Sequence, residues 1–307
     1  MAYRILIPLD GSGFAEQALQ AVRAMAGTVH LEIELLHVLD YQHLLPEPQA
    51  SDDAWLHQTL RDDAQSYLDR LAGELKSSTA VLSAHVVEGE PVTRIQEESA
   101  RGAFDLIVMS THGHGALDRA WLGSVADALV RESHIPVLLI RAGEDGALTR
   151  APVRFQHVLL PLDGSPLAEQ MIEPALRFAR LNEARVSLLQ VVHPWVRTTR
   201  PMASAHQAAE LRSAAIEARR QEAATYLQGL AGRLQGRASG LHAEVVVAEA
   251  TDAAEVIEYA EQHDVDVIAL ATRGRSGWKR FALGSVADKL IRGASTPVLV
   301  VSPKGND

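Results

Sequence analysis

The stretch RILIPLDGSGFAEQAL, residues 4–19, decides the fold, because it passes from a strand through a turn into a helix. RILIPL is a continuous apolar run of the kind found in strands that are buried on both faces of a parallel sheet. DGS is ordinary turn chemistry, Ser12 is a suitable N-cap, and the residues after it place apolar side chains at helical spacing. The stretch therefore predicts a strand–turn–helix unit of an α/β protein.

The same unit returns as HVLLPLDGSPLAEQMI at residues 157–172, an offset of 153. The ends of the two halves also match, since LGSVADALVRESHIPVLLIR begins at Leu122 and LGSVADKLIRGASTPVLVVS begins at Leu283, an offset of 161. The second half therefore carries eight extra residues, between its second and third predicted strands, which would form a lid, a partner-binding segment or a longer helix. The chain is predicted to be a duplication, with domains at residues 1–145 and 146–307.

Strand and helix patterns alternate through both halves. This order predicts two doubly wound α/β domains, each with a five-stranded parallel sheet and helices on both faces. Ligands of such sheets bind beyond the carboxyl ends of the strands. The segments that follow the strands are therefore the expected sites, and they begin at Asp10, Val38, Gly89 and Ser110 in the first half and at Asp163, Val191, Ala250 and Ala271 in the second.

Composition narrows the class of protein. The net charge of −10 over 307 residues disfavours sequence-independent binding to nucleic acid or to an anionic membrane. The absence of cysteine excludes disulfides and thiolate metal sites. No apolar run approaches the roughly 20 residues of a membrane span. The N-terminus lacks the pattern of a signal peptide, so we expect a cytoplasmic protein.

The loop STHGHGALDRAWLGS, residues 110–124, admits two kinds of chemistry. His112 and His114 have a spacing that metal ligands sometimes show, whereas the glycines and the helix that follows suit a phosphate. The second copy, ATRGRSGWKRFALGS at 271–285, keeps Gly113 and Gly123 as Gly274 and Gly284 and has arginines in place of both histidines. Arginine is a poor metal ligand and a good phosphate partner. The loop therefore predicts a backbone cradle for phosphate, and no metal site is expected.

Asp10 and its repeat Asp163 come directly after the first strand of each half. One interpretation makes them turn or cap residues, since Asp-Gly-Ser is a common turn sequence. The other makes each carboxylate an acceptor for ribose hydroxyl groups at the edge of the sheet. Duplication raises the second interpretation, although a turn would also be repeated.

Familiar catalytic motifs are missing from the sequence. It contains no G-x-x-x-x-G-K-[ST], no G-x-G-x-x-G after the first strand, no H-E-x-x-H and no G-x-S-x-G. No general base or nucleophile stands in a recognisable position. We therefore expect a binding protein and not a fast catalyst.

The strand followed by PLDGS, the loop STHGHGALDRAWLGSVAD and the closing IPVLLIR resemble a universal stress protein domain, and the chain resembles a tandem of two. Nucleotide-binding members of that family carry G-x2-G-x9-G-[ST]. The spacing is intact in both halves, but Ser110 and Ala271 replace the first glycine. The resemblance implies one ATP site in each half, with or without magnesium.

The same resemblance implies a role for each motif residue. The aspartates would hold the ribose, the backbone of two valines would meet adenine, and the glycine segments would surround the phosphates. The implied contacts are Pro8, Asp10, Val38, Met109, Ser110, His112, Gly113, Gly123, Ser124 and Val125 in the first half, and Pro161, Asp163, Val191, Leu270, Ala271, Arg273, Gly274, Gly284, Ser285 and Val286 in the second.

The resemblance also implies assembly and partners. The last strands, VLLI at 137–140 and VLVV at 298–301, would pair and join the two halves, and two chains would form a homodimer. The leading interpretation is a stress-response sensor that binds ATP and acts on an unidentified regulatory protein. The alternatives are a nucleotide-independent interaction protein of the same fold and an ATP-hydrolysing enzyme. The loop of the second half is the more basic of the two, which predicts the tighter site there.

Overall fold

The structure, a computed structural model, describes residues 2–25, 31–41, 53–75, 80–111, 122–141, 154–193, 205–238, 240–247, 252–272 and 283–302. Its strands are β1 (Tyr3–Leu9), β2 (Leu31–Leu39), β3 (Ala80–Glu88), β4 (Leu106–Ser110), β5 (Val137–Ile140), β6 (His157–Pro161), β7 (Arg185–Val192), β8 (Leu241–Val247), β9 (Val267–Ala271) and β10 (Val298–Val301). Its helices are α1 (Gln17–Met25), α2 (Asp53–Leu75), α3 (Pro91–Arg101), α4 (Ser124–Glu132), α5 (Pro166–Glu169), α6 (Ile172–Leu181), α7 (Ala205–Leu234), α8 (Asp252–Gln262) and α9 (Ser285–Gly293).

All of these strands join in one sheet, in the order β3-β2-β1-β4-β5-β10-β9-β6-β7-β8. Neighbouring strands are parallel except at the centre, where β5 and β10 run antiparallel with Val137 opposite Val300. The predicted α/β class with mainly parallel pairing is confirmed. The five strands expected in each half are not distinct sheets but parts of one ten-stranded sheet, in which the last strands β5 and β10 pair and each covers the exposed edge of the other.

Apolar packing covers both faces of the sheet. On one face, Ile5 and Ile7 of β1 belong to a core that includes residues of α1, α2, α6 and α7. On the other face, Leu6 belongs to a core with residues of α3, α4, α8 and α9. Burial on both faces agrees with the continuous apolar run in the sequence of β1. Each core contains residues of both halves, so the halves share their hydrophobic interior.

The extra residues of the second half lengthen a helix. Helix α7 has 30 residues, whereas its counterpart α2 has 23. Of the three expectations for this segment, the longer helix is therefore the one that appears in the described part. Within the described residues, no helix combines the length and the hydropathy that a membrane crossing requires.

Polar contacts also link the two halves. Arg177 on α6 pairs with the Asp105 carboxylate at 2.7 Å and lies over the Tyr3 ring, 5.1 Å from its centroid. Near the central strands, the Ser302 hydroxyl donates to the Arg131 carbonyl at 2.7 Å. These polar contacts help to fix the orientation of the two halves, whereas the shared apolar core provides most of the stability of the junction between them.

Candidate functional site

The strand order places two equivalent crevices at the carboxyl edge of the sheet. The chain reverses direction across the sheet between β1 and β4 in the first half, and between β6 and β9 in the second. Open α/β sheets bind ligands at such reversal points. The residues that follow these strands, Asp10 and Thr111 in one half and Asp163 and Thr272 in the other, therefore border the crevices.

The first crevice is a cavity of about 250 Å³. It is formed by strand ends, by the first turns of α3 and α4 and by the turn before α1. Its lining residues are Pro8, Leu9, Asp10, Ala15, Leu36, Val38, Pro91, Ile95, Met109, Ser110, Thr111, Gly123, Ser124, Val125 and Ala126. Every predicted contact of the first half that the structure describes is in this lining, whereas His112 and Gly113 lie outside the described residues.

The second crevice is larger, at about 370 Å³. Its lining repeats the first at equivalent positions and adds Gln190, His193 and Leu290. The lining residues are Pro161, Leu162, Asp163, Ala168, Leu189, Gln190, Val191, His193, Asp252, Val256, Leu270, Ala271, Thr272, Gly284, Ser285, Val286, Ala287 and Leu290. The predicted contacts of this half are again brought together, except for Arg273 and Gly274, which lie outside the described residues.

Asp10 organises the turn at one end of the first cavity. Its Oδ1 atom accepts from the Ser12 amide at 3.0 Å and from the Ser12 hydroxyl at 2.6 Å, and Gly11 has a φ of 83°. Asp163 repeats the arrangement, accepting from the Ser165 amide at 2.9 Å. The turn interpretation of the aspartates is therefore correct as geometry. It is compatible with ligand binding, because both residues also line a cavity.

The glycine-containing loops are held closed at their ends. The Gly123 amide donates to the Thr111 carbonyl at 2.9 Å, and the Gly284 amide donates to the Thr272 carbonyl at 2.8 Å. Both threonines are buried. The residue before each loop, Thr111 or Thr272, therefore lies beside the residue that precedes α4 or α9.

Helices α4 and α9 begin at the cavities without a capping side chain. Their N-cap residues are Gly123 and Gly284, so the first-turn amides receive no side-chain acceptor from the cap. Both glycines have negative φ, −57° and −63°, so the conformation does not require glycine. Among the described residues, a Cβ on Gly123 would meet only the Thr111 carbonyl oxygen, at an ordinary 3.5 Å. The described part of the protein therefore has room for a Cβ at this position.

A tyrosine from the long helix stands near each strand-end aspartate. Burial raises the pKa of Tyr67, and the carboxylates of Glu16 and Asp10 act in the same direction. Burial and a hydrogen bond to Glu169 likewise raise the pKa of Tyr226, whose hydroxyl donates at 2.9 Å. Both phenols are consequently proton donors at neutral pH, not bases.

Two titratable residues in the lining of the second cavity were missed by sequence reasoning. His193 follows β7 and Asp252 opens α8, and the His193 Nε2 atom lies 2.5 Å from the Asp252 Oδ1 atom. Both residues border the cavity. Their place just after a strand and at a helix start was a usable signal. Their pairing was not readable, because it joins residues far apart in the chain.

Comparisons with known proteins agree with this architecture. A model of the universal stress protein family matches residues 1–141 and 154–302. A universal stress protein of Mycobacterium tuberculosis is 26% identical over 302 residues and is aligned over 96% of both chains. One of Methanocaldococcus jannaschii is 28% identical over 138 residues, 45% of this chain and 81% of its own.

Solved structures extend the likeness to the whole chain. A universal stress protein from Archaeoglobus fulgidus superposes over 99% of this chain and 97% of its own, with a TM-score of 0.65 and 18% identity. At 18% identity this similarity concerns the fold alone. The superposition includes both halves of the chain.

Proposed function

This chain belongs to the universal stress protein family, and on that basis we propose that it binds ATP at each of its two cavities and acts as a stress-response regulator. The observation that carries the proposal is the pairing, in each half, of a strand-end aspartate with an uncapped helix N-terminus across one cavity. A carboxylate suits sugar hydroxyls, and free amides at a helix N-terminus suit phosphate.

The proposed orientation of ATP follows from the aspartate at one end of each cavity and the helix N-terminus at the other. The phosphates would lie against the first turns of α4 and α9, next to Gly123 and Gly284. The ribose would lie near Asp10 or Asp163. The base would then extend along the β2 or β7 end, where Val38 and Val191 line the cavities. Magnesium, where present, would accompany the phosphates and not a protein cluster in these linings.

Regulation fits the chemistry of the linings better than rapid catalysis does. Among the described lining residues, the titratable side chains are Asp10 in the first cavity and Asp163, His193 and Asp252 in the second. The aspartates after the strands are engaged in turns. A chain of this kind would change partners as nucleotide binds, with slow hydrolysis as a secondary property.

We further propose that residues 1–145 and 146–307 are the two domains, joined within one chain through β5 and β10. Homodimer formation and the regulatory partner protein remain part of this proposal. The charge of −10 disfavours sequence-independent binding to nucleic acid.

Nucleotide extracted from the purified protein and calorimetric titration with ATP test the function. We expect co-purified adenine nucleotide or saturable ATP binding, which the double variant Gly123→Val and Gly284→Val abolishes while remaining folded. Gly229→Val is the matched control, because a Cβ there meets no described residue within 4 Å. No bound nucleotide and no heat at millimolar ATP would remove the proposal.

One observation favours the second candidate function, a nucleotide-independent interaction protein. Ser110 and Ala271 stand where nucleotide-binding relatives have glycine, and Ser110 is buried at the end of β4. A side chain at this point narrows the approach to the backbone. Failure of the titration, with an intact fold, would select this candidate.

A further inference from the structure

Away from both cavities, three metal-ligating side chains converge on one face of the first half. Glu34 comes from β2, His85 from β3 and Glu98 from α3. The His85 Nε2 atom lies 3.7 Å from the Glu34 Oε1 atom and 3.7 Å from the Glu98 Oε2 atom. One ligand atom from each residue lies within 4.8 Å of the other two. Ligands of a tetrahedral zinc ion, with bonds of about 2.1 Å, stand about 3.4 Å apart.

The two carboxylates of this cluster are largely shielded from water, whereas the His85 side chain is 32% exposed. The Glu98 side chain is 5% exposed and that of Glu34 is 16% exposed. The Nε2 atom of His85 is buried, and among the described residues it has no hydrogen-bond partner. A buried ring nitrogen at 3.7 Å from two carboxylates is too distant for hydrogen bonding and well placed for a shared cation.

The equivalent positions of the second half carry different residues, which do not form a set of metal ligands. Leu35 pairs with Ala84, and Leu188 pairs with Ala243, so His85 corresponds to Glu244 and Glu34 to Ser187. Glu98 and Tyr259 are both the eighth residues of their helices. There the Tyr259 hydroxyl donates to the Glu244 carboxylate at 3.1 Å, so a direct hydrogen bond replaces the open arrangement.

Two arginines already neutralise part of the cluster. Arg94 approaches the Glu98 carboxylate at 3.7 Å, and Arg101 contacts the Oε2 atom that also faces His85. The Arg101 side chain is 71% exposed, so it can move into solvent at low cost. Arg101 is therefore a competitor for the carboxylate oxygen and not a fixed part of the core.

We propose that Glu34, His85 and Glu98 form a binding site for a divalent transition metal ion, with Zn²⁺ as the matching ion. One imidazole nitrogen and two carboxylate oxygens are ligands that Zn²⁺ accepts, and three protein ligands leave a position for water. The ion would attach α3 to strands β2 and β3. Because α3 supplies Pro91 and Ile95 to the first cavity, the metal would stabilise that wall. The proposal is independent of nucleotide binding.

Titration of the chelator-treated full-length protein with Zn²⁺ tests the site, with visible absorption of Co²⁺ as a second probe. We expect one ion per chain in the wild type. His85→Gln and Glu34→Gln should each weaken binding by more than about 100-fold, since even outer-shell changes cost 10–100-fold. The matched control is His242→Gln, which alters an exposed histidine that lies 3.5 Å from Glu244 in the second half.

The outcomes separate a built site from adventitious binding. Equal zinc affinity in His85→Gln and His242→Gln, or no stoichiometric binding in the wild type, would overturn the proposal. Circular dichroism shows whether each variant is folded, and Glu34→Gln serves if His85→Gln is not folded.

Arg101→Ala provides a test in the opposite direction. It should bind Zn²⁺ more tightly because a competing cation is removed, and equal or weaker binding would count against the site.

Discussion

At the scale of single residues, Asp10 combines a structural task with a proposed binding task. Its Oδ1 atom holds the turn after β1 through two hydrogen bonds from Ser12. Sequence reasoning identified the residue and left both roles open. The structure shows the turn, which involves only residues that are neighbours in the chain. The ribose role needs a ligand and stays a prediction.

Substitution separates the two roles of Asp10. Asp10→Ala removes the acceptor, so the free energy of unfolding should fall by about 1–2 kcal/mol. Asp10→Asn keeps an oxygen in the same place and should cost less. Both variants should weaken ATP binding, since each alters the group proposed to accept from ribose. Urea unfolding and calorimetry measure the two effects, and wild-type ATP affinity in Asp10→Ala would contradict the ribose assignment.

His157 illustrates a residue whose role is purely structural. It is buried at the start of β6, where its Nε2 atom lies 2.8 Å from the Ser187 hydroxyl oxygen. Burial lowers the pKa of this histidine, and the adjacent Arg185 guanidinium acts in the same direction. The folded state therefore holds His157 neutral at pH values where the unfolded chain begins to bind a proton.

This difference predicts a pH dependence of stability. The unfolded histidine has a pKa of about 6.5, so its contribution to stability is fully present above that value. The contribution should be lost as pH falls from about 6.5 toward the lower pKa of the folded state. Urea unfolding at pH 7.5 and at pH 5.5 measures the loss. His157→Gln should flatten the dependence, whereas a slope unchanged from wild type would show that other groups cause it. His242→Gln serves as the exposed control.

At the scale of elements, the central strands β5 and β10 decide how the chain is assembled. Each has only four residues, and their side chains are almost fully buried. Their sequences alone predict strands, but a buried edge was expected only from the resemblance. The structure supplies the reason for their apolar character, because each strand has a neighbour on both sides and a helix layer on both faces.

Truncation of a side chain in β5 tests whether this strand is buried at the centre of the sheet. Leu138 is fully buried, so Leu138→Ala should lower the free energy of unfolding by about 2–5 kcal/mol. Leu211→Ala is the matched control, because that leucine is 57% exposed and its loss should change stability by less than about 0.5 kcal/mol. Chemical denaturation measures both, and similar effects in the two variants would contradict the central position of β5.

At the scale of the whole molecule, the shared core couples the two halves. Leu138 and Leu299 lie in the same apolar cluster as Ile5 and Val158, the last two of which belong to β1 and β6. Amides of β1 and β6 should therefore exchange with solvent through the same global unfolding event. Native-state hydrogen exchange measures this, and Leu138→Ala should reduce protection in both halves. Reduced protection in the first half alone would show two independent folding units.

The two proposed sites should differ in strength. The loop of the second half contains Arg273, Arg275, Lys279 and Arg280, which lie outside the described residues. Positive side chains there should attract a triphosphate and make its binding more sensitive to salt. Calorimetry on Gly123→Val, which leaves the second site, and on Gly284→Val, which leaves the first, compares them. Gly274→Asp should likewise weaken binding more than Gly113→Asp, and equal losses would contradict the ranking.

The amino-acid sequence by itself determined the α/β class, the duplication and the segments that border the cavities. These features are local, since strand and helix periods, turn residues and strand ends are readable within about 20 residues of chain. The repeat added a second, independent copy of each pattern. Of the predicted contacts that the structure describes, all line the two cavities for this reason.

Only the tertiary structure decided which distant residues meet. The pairing of β5 with β10 in the ten-stranded sheet, the approach of His193 to Asp252 and the convergence of Glu34 on His85 and Glu98 join residues separated by 50 or more positions in the chain. Such contacts depend on strand order and on the register between strands, which no local period encodes. A difference of one residue in register would turn His85 to the opposite face of the sheet, and the proposed metal site would not exist.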